Sequence, residues 1–394
     1  MNNNVFYFME FSSKILIKPS ATLTINSTVL AKKQRGEKIY NLSAGEPMID
    51  TPLVVIQAAK EAMFSGQTHY PPVAGLPELL QAASVWMNSR YHSDYSIKNI
   101  LVTCGGKFGL YLLFQALLND GDEVLISSPY WVSYPEMVKL FGGQPKIITP
   151  SEKNWKMTTD DFVNNISPKT KLLILNNGSN PAGTLYTPEE LRSLLVAAAE
   201  HHIFVVADEV YSGLVYDGKS YASCALFPEF KQQVAIVESC SKSFAMTGWR
   251  VGFVFADESI IRKLVTLQGQ STSGTSIISQ WAAVAALQNA AEITRVINAT
   301  MQKRRDIFFE NFNQLFRTST EPPESSLYAF VPLTNLTERK INSTDFCLEI
   351  LDKANVAAVP GAAFGQENYI RFSFGEKEEE IIQALSALAD YLKK

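Results

Sequence analysis

The stretch "SCSKSFAMTGWRVGF", residues 239–253, sets a lysine where an ordinary lysine has no reason to be. Lys242 follows an apolar run, lies between Ser241 and Ser243, and precedes a Gly-Trp-Arg turn. Surface lysines usually sit on polar helical faces, where their stems cover apolar surface and the ammonium stays wet. A lysine at the end of a buried strand instead points to chemistry at its amine. The run leading into it, "VAIVESCS", belongs to a series with "NILVTC", "DEVLISSP", "TKLLILNN", "HIFVVADE" and "GFVFA". Helix-period segments lie between them. One, "PEELRSLLVAAAEHH", opens on the start signal Thr187-Pro188-Glu189-Glu190. Strands alternating with helices predict an α/β fold, with a mainly parallel sheet covered on both faces. Near-continuous apolar strands such as "IFVVA" suit that burial.

At 394 residues the chain exceeds the usual size of one compact core, which predicts two domains. The texture changes after about residue 290. From there a long basic helix, "LYAFVPL", a helix, "VAAVPG", "NYIRFSF" and a last helix predict a smaller α+β domain. Residues 1–45 show no core of their own and are expected to pack on that part, leaving 46–290 as the large domain and 291–394 as the small one. Residues 1 to about 18 read as a loose extension, with Met1–Phe8 expected to be mobile or to precede the native start.

Composition narrows the function classes. Hydrophobic residues at 46% and charged residues at 19% describe a soluble globular chain. A net charge of -4 gives no basic field for nucleic acid. No apolar run approaches the roughly 20 residues of a membrane span. The N-terminal stretch has no basic region and no cleavage site of the exported kind, so a cytoplasmic location is expected. Cys104, Cys224, Cys240 and Cys347 form no CxxC pair and read as reduced thiols. Four histidines without zinc spacing disfavour a catalytic metal.

In open α/β sheets ligands bind beyond the carboxyl ends of the strands. After "ILVT" comes Cys104-Gly105-Gly106-Lys107, which is either a plain tight turn or a helix start that holds phosphate. After "EVLISS" come Tyr130 and Trp131, rings that either fill core or stack on a planar ligand. Asn180 follows "KLLIL" in a turn-rich segment, and Asp208 and Tyr211 follow "IFVVA". A carboxylate closing a buried strand needs a partner unless it caps a helix. Ser239, Ser241, Lys242 and Arg250 complete the set. Together these groups ask for a planar ligand with a phosphate, a basic ring atom and a carbonyl. Pyridoxal phosphate meets all four demands.

"SNPAG", "ADEVY", "SCSKSFAMTGWRVGF" and "NYIRFSF" stand in the order and spacing of the class I pyridoxal-phosphate aminotransferases, which the chain resembles over residues 14–394. "KPSATLTIN", "LSAGEPMIDTP", "THYPPVAGLPELLQA", "VTCGGKFGLYLLFQALL" and "SPYWVSYPEM" resemble the bacterial aspartate aminotransferase branch. The resemblance implies a seven-stranded large-domain sheet of fold type I. It also implies a homodimer whose active sites are shared between subunits. By the same resemblance Lys242 would carry the cofactor covalently, and Asp208 would hold its ring nitrogen protonated. Asn180 and Tyr211 would bond the ring oxygen, and Trp131 would stack on the ring. Gly105, Gly106, Lys107, Ser239, Ser241 and Arg250 would surround the phosphate, joined by Tyr70 of the neighbouring subunit. Arg371 would clamp the substrate α-carboxylate, its planar fork matching a carboxylate bidentately, with Gly45, Lys107, Trp131 and Asn180 around the substrate. Read without the resemblance, Arg371 is an arginine on an edge strand.

The resemblance also implies the reaction, transfer of an amino group from aspartate to 2-oxoglutarate. Animal-type relatives grip the distal carboxylate with an arginine in the stretch that reads "VTLQGQSTSGTSIISQ" here, and this stretch has none. Lys107, with Ser20 and Thr22 near the entrance, is the alternative candidate, unless it is a first-turn lysine facing solvent. Two departures stand out, Ser179-Asn180-Pro181-Ala182-Gly183 and Ser325-Ser326-Leu327-Tyr328-Ala329. The second keeps aromatic amino acids or prephenate open as substrates, and a carbon–sulfur lyase would use much the same cofactor shell. A transcription regulator would need an added DNA-binding domain, for which about 45 residues before the large domain leave no room.

Overall fold

A computed structural model describes residues 17, 19, 21–152 and 154–393, without the side chains of 21–24 and 26. Met1–Phe8 and Ser20 lie outside the described residues, as does the Thr22 side chain. The short strand β1 (Tyr40–Asn41) precedes a seven-stranded sheet. That sheet is made of β2 (Ile100–Thr103), β3 (Glu123–Ser127), β4 (Gln144–Ile148) and β5 (Thr170–Asn176). It is completed by β6 (Phe204–Asp208), β7 (Val234–Ser239) and β8 (Gly252–Phe255).

The strand order is β2-β8-β7-β6-β5-β3-β4. Pairing is parallel from β7 through β4, whereas β8 runs antiparallel to both its neighbours. Every residue of β2, β7 and β8 is buried, as expected for strands covered on two faces. Val206, Ala235 and Val237 face one core, and Ala207 and Ile236 face the other. β4, the sequence QPKII, is absent from the apolar series read above. It is an edge strand paired only with β3, it contains Pro145, and only Ile148 is buried. Half-exposed edge strands carry a weak apolar signal and tolerate proline.

Helix Pro188–Glu200 begins at its sequence signal. The Thr187 hydroxyl accepts from the Glu190 N–H (3.2 Å), and Glu190 accepts from the Thr187 N–H (2.8 Å). Beyond the long helix Ala290–Phe316, β9 (Tyr328–Pro332), β11 (Val359–Pro360) and β12 (Tyr369–Ser373) form an antiparallel sheet ordered β11-β12-β9. Phe308 and Phe312 of the long helix pack on Phe372 of β12. β10 (Val356–Ala357) pairs in parallel with β1, and Val29 and Ile39 cluster with Leu351 and Ala357. "VAAVPG" is thus two short strands that serve different sheets. No helix among the described residues is long and apolar enough to cross a membrane.

Candidate active site

The carboxyl ends of β5, β6 and β7 open on a cavity of ≈ 370 Å³, closed from the opposite side by Gly45, Tyr328 and Arg371. Gly45, Gly106, Lys107, Trp131, Asn180, Asp208, Tyr211, Ser239, Ser241, Lys242, Arg250 and Arg371 all line it. Gly105 stands at its edge as the residue before helix Gly106–Leu117. Tyr70 does not line the cavity of its own chain and is 95% exposed.

One end is built to receive an anion. The first amides of helix Gly106–Leu117 have no partner within the helix, and they lie at the positive end of its dipole. Gly105 has φ +78°, and a Cβ there would collide with the Arg250 guanidinium. The missing side chain therefore lets Arg250 close against the helix start. Arg250 Nη1 donates to the Thr247 carbonyl at 2.9 Å. The left-handed residue of this turn is Arg250 itself, at φ +60°, while Gly248 takes no positive φ. Ser239 donates to the Val251 carbonyl (3.1 Å), and its oxygen lies 2.9 Å from Ser241 Oγ.

The other end holds a buried carboxylate. Asp208 Oδ2 accepts from the Tyr134 hydroxyl (2.5 Å), and Oδ1 accepts from the Val210 N–H (3.4 Å). No cation pairs with it among the described residues. Burial pushes its pKa up to about 6, although both hydrogen bonds oppose the shift. Asn176 braces the region, donating to the Asp208 carbonyl (2.9 Å) and accepting from the Asn180 N–H (3.0 Å). Tyr211 and Tyr328 join hydroxyls at 2.9 Å.

Between the two ends, Lys242 Nζ donates to the Gly45 carbonyl. Burial pulls its pKa down to about 8; Glu46 opposes that shift, while Arg371 and Arg250 add to it. Arg371 is 2% exposed, with its guanidinium 4.3 Å from the Tyr328 ring centroid and 5.0 Å from that of Phe364. It donates to Asn180 Oδ1 (3.2 Å) and the Ser43 carbonyl (2.8 Å), leaving Nε unpartnered. No carboxylate pairs with it among the described residues. Lys107 lines the cavity with its ammonium 5.0 Å from the Trp131 ring centroid, its charged end desolvated although the residue as a whole reaches the surface. Burial lowers its pKa, and the Arg250 charge lowers it further.

Seven lining residues had no role assigned from the sequence: Leu110, Ser133, Tyr134, Asn176, Val210, Thr247 and Tyr328. Tyr134 lies one helical turn after Trp131, Asn176 ends β5, and Tyr328 begins β9. Tyr134 stood within the quoted "SPYWVSYPEM", three residues from Trp131, and that spacing was its available signal. Of the departing stretch 325–329, only Tyr328 lines the cavity. Ser325 and Ser326 instead bind the Leu214 carbonyl, through the Ser325 hydroxyl (2.6 Å) and the Ser326 N–H (3.2 Å).

The family described as aminotransferase class I and II matches residues 37–388. An aspartate aminotransferase of Geobacillus stearothermophilus is 36% identical over 381 residues, covering 96% of this chain and 97% of its own. A probable aspartate/prephenate aminotransferase of Aquifex aeolicus (strain VF5) is 33% identical over 382 residues, with the same coverage. Among solved structures, the aspartate aminotransferase from Thermus thermophilus with maleate superposes with a TM-score of 0.92 at 32% identity. That match covers 98% of this chain and 100% of the other.

Proposed function

Because the chain belongs to the class I and II aminotransferases, we propose that its cavity holds pyridoxal phosphate and that it moves the amino group of aspartate to 2-oxoglutarate. The observation that carries this reading is the shared cavity of Lys242, Asp208 and Arg371: an amine, a carboxylate and a guanidinium, of which neither Asp208 nor Arg371 has an ion-pair partner among the described residues. The fit to the cofactor is supported by the Gly105 position, where a Cβ would displace the arginine beside the helix start, and by Asp208, whose burial calls for a cationic ring atom.

When bound, pyridoxal phosphate supplies the carbonyl carbon that takes up the amine and the electron sink that eases loss of the Cα proton. The amides after Gly105, with Ser239, Ser241, Arg250 and the partner's Tyr70, would hold the phosphate. Asp208, fixed by Tyr134, would remain ionised beside the protonated ring nitrogen. Asn180 and Tyr211 would donate to the ring oxygen. Arg371 would grip the α-carboxylate of the amino acid and set its Cα over Lys242. The neutral form of Lys242, favoured by burial, would move a proton from the amino-acid Cα to the cofactor carbon in the first half of the cycle and in the reverse direction in the second. Aspartate would leave as oxaloacetate before 2-oxoglutarate enters and leaves as glutamate.

Lys107 is our candidate for the distal carboxylate, and maleate in the Thermus structure is likewise a four-carbon dicarboxylate. The name of the Aquifex relative supports prephenate as a second substrate. The exposed apolar residues Leu53 (74%) and Phe64 (82%), on the helix before Tyr70, suit a homodimer contact. We further divide the chain into 1–45, 46–290 and 291–394, with a cytoplasmic enzyme in view. An amino-donor screen with 2-oxoglutarate tests the substrate. Aspartate is expected to lead, and Lys107→Ala to raise its KM about tenfold, the worth of one charge-assisted contact. An unchanged KM in that variant removes Lys107 from the role.

A further inference from the structure

Glu209 and Glu238 lie behind the cavity and take no part in the chemistry above. β6 and β7 are parallel, and their last paired residues are Asp208 and Val237. Glu209 and Glu238 each stand one residue further, so they are neighbours on adjacent strands. Side chains alternate along a strand. Asp208 and Ser239 therefore face the cavity, and Glu209 and Glu238 face the core on the other side.

Both glutamates are sealed, at 1% and 0% exposed. Glu209 Oε1 accepts from the Cys224 N–H (2.8 Å), and Glu238 Oε2 accepts from the Ser239 N–H (3.3 Å). Each keeps one buried oxygen with no hydrogen-bond partner, Oε2 of Glu209 and Oε1 of Glu238. Buried polar atoms of this kind are rare and costly. Strand backbones lie roughly 4.8 Å apart, and beyond burial Glu209 raises the pKa of Glu238 through its charge; two carboxylates on adjacent strands in a dry core do not both ionise.

The charge that faces both is Arg90, stacked 4.7 Å from the Trp86 ring centroid and 4.9 Å from that of Tyr91, and donating to Ser212. The other titratable neighbours are Tyr91, Tyr95, Tyr221, Cys224 and Cys240, each held neutral by burial. One arginine balances one carboxylate, so the other must carry a proton.

We propose that Glu209 and Glu238 share a single proton between their two unpartnered oxygens, forming an acid–carboxylate pair that positions Asp208 and Ser239 from behind. The pair ties the ends of β6 and β7 at the level where the cavity residues leave the sheet. Burial pushes both glutamates well above the ordinary carboxylate range, consistent with a proton retained at neutral pH. A folded-state pKa raised in this way gives stability that falls as pH climbs from the unfolded value toward the folded one.

Infrared spectroscopy of the purified chain at about pH 7.5, where Asp208 is ionised, reads the proton directly. The wild type is expected to show the C=O stretch of one protonated carboxyl. Glu209→Gln and Glu238→Gln are each expected to abolish it, since the remaining glutamate then pairs with Arg90. The fall of melting temperature between about pH 5 and 8 should flatten in both variants. No such band in the wild type, or a band that survives either substitution, overturns the proposal. The wild-type spectrum alone decides should a variant fail to fold. The band needs no cofactor, so failure of the pyridoxal phosphate assignment would be seen separately, as a missing visible absorbance.

Discussion

Burial holds the Lys242 amine at about 8, and this sets a testable pH dependence. Only the unprotonated amine is a nucleophile, so its reactive fraction grows as pH rises toward that value. In the cofactor-stripped chain, the rate of pyridoxal phosphate uptake is expected to climb with pH and level off above about 8. A rate already level at about pH 6 would mean that the amine is not the attacking group. The reactive residues were legible because each polar group closes an apolar run and so stands out. Tyr134 was not, because a tyrosine in a helical apolar pattern looks the same whether it fills core or donates to a buried aspartate. Asn176 was legible only as the start of the turn-rich segment, with no role of its own, because it is the last residue of β5.

At the scale of elements, the phosphate end depends on backbone shape. Gly105→Ala would place a Cβ against Arg250 at a position with φ +78°, a strain of roughly 1–3 kcal/mol. Cofactor affinity, measured by equilibrium dialysis, is expected to drop at least about tenfold. Thr187→Ala provides the contrast: loss of the capping hydroxyl should cost about 1 kcal/mol in denaturant unfolding while leaving affinity intact. Equal affinity in the glycine variant would remove the helix start from the phosphate site. The capped helix was readable because Thr187 and Glu190 satisfy backbone donors at fixed spacing. β4 was not readable, since one buried residue in five gives no period.

For the whole molecule, Arg371 comes from a different sheet than Asp208, while Lys242 sits on the short helix Cys240–Ser243 that follows β7, and the cavity exists only where these parts meet. The resemblance supplied that juxtaposition; hydrophobic pattern could not, because it reports burial and not which surfaces meet. The two-residue pair β1–β10, which ties residues 40–41 to 356–357, carries no periodic signal either. Tyr70 is exposed and lines no part of its own chain's cavity, which leads to a test with mixed chains. Lys242→Ala and Tyr70→Ala chains, each nearly inactive alone, should regain activity when unfolded and refolded together. The mixed dimer would then contain one site with both residues intact. No recovery would place Tyr70 outside the neighbour's site.

The half-reaction itself tests the central claim most directly. The visible absorbance of the purified enzyme is followed as aspartate is added alone, and then as 2-oxoglutarate is added. Aspartate is expected to bleach the band and release one oxaloacetate per site, and 2-oxoglutarate to restore the band, with Lys242→Ala showing neither change. A band indifferent to aspartate, or one that recovers without any oxo acid, would contradict amino-group transfer at this site.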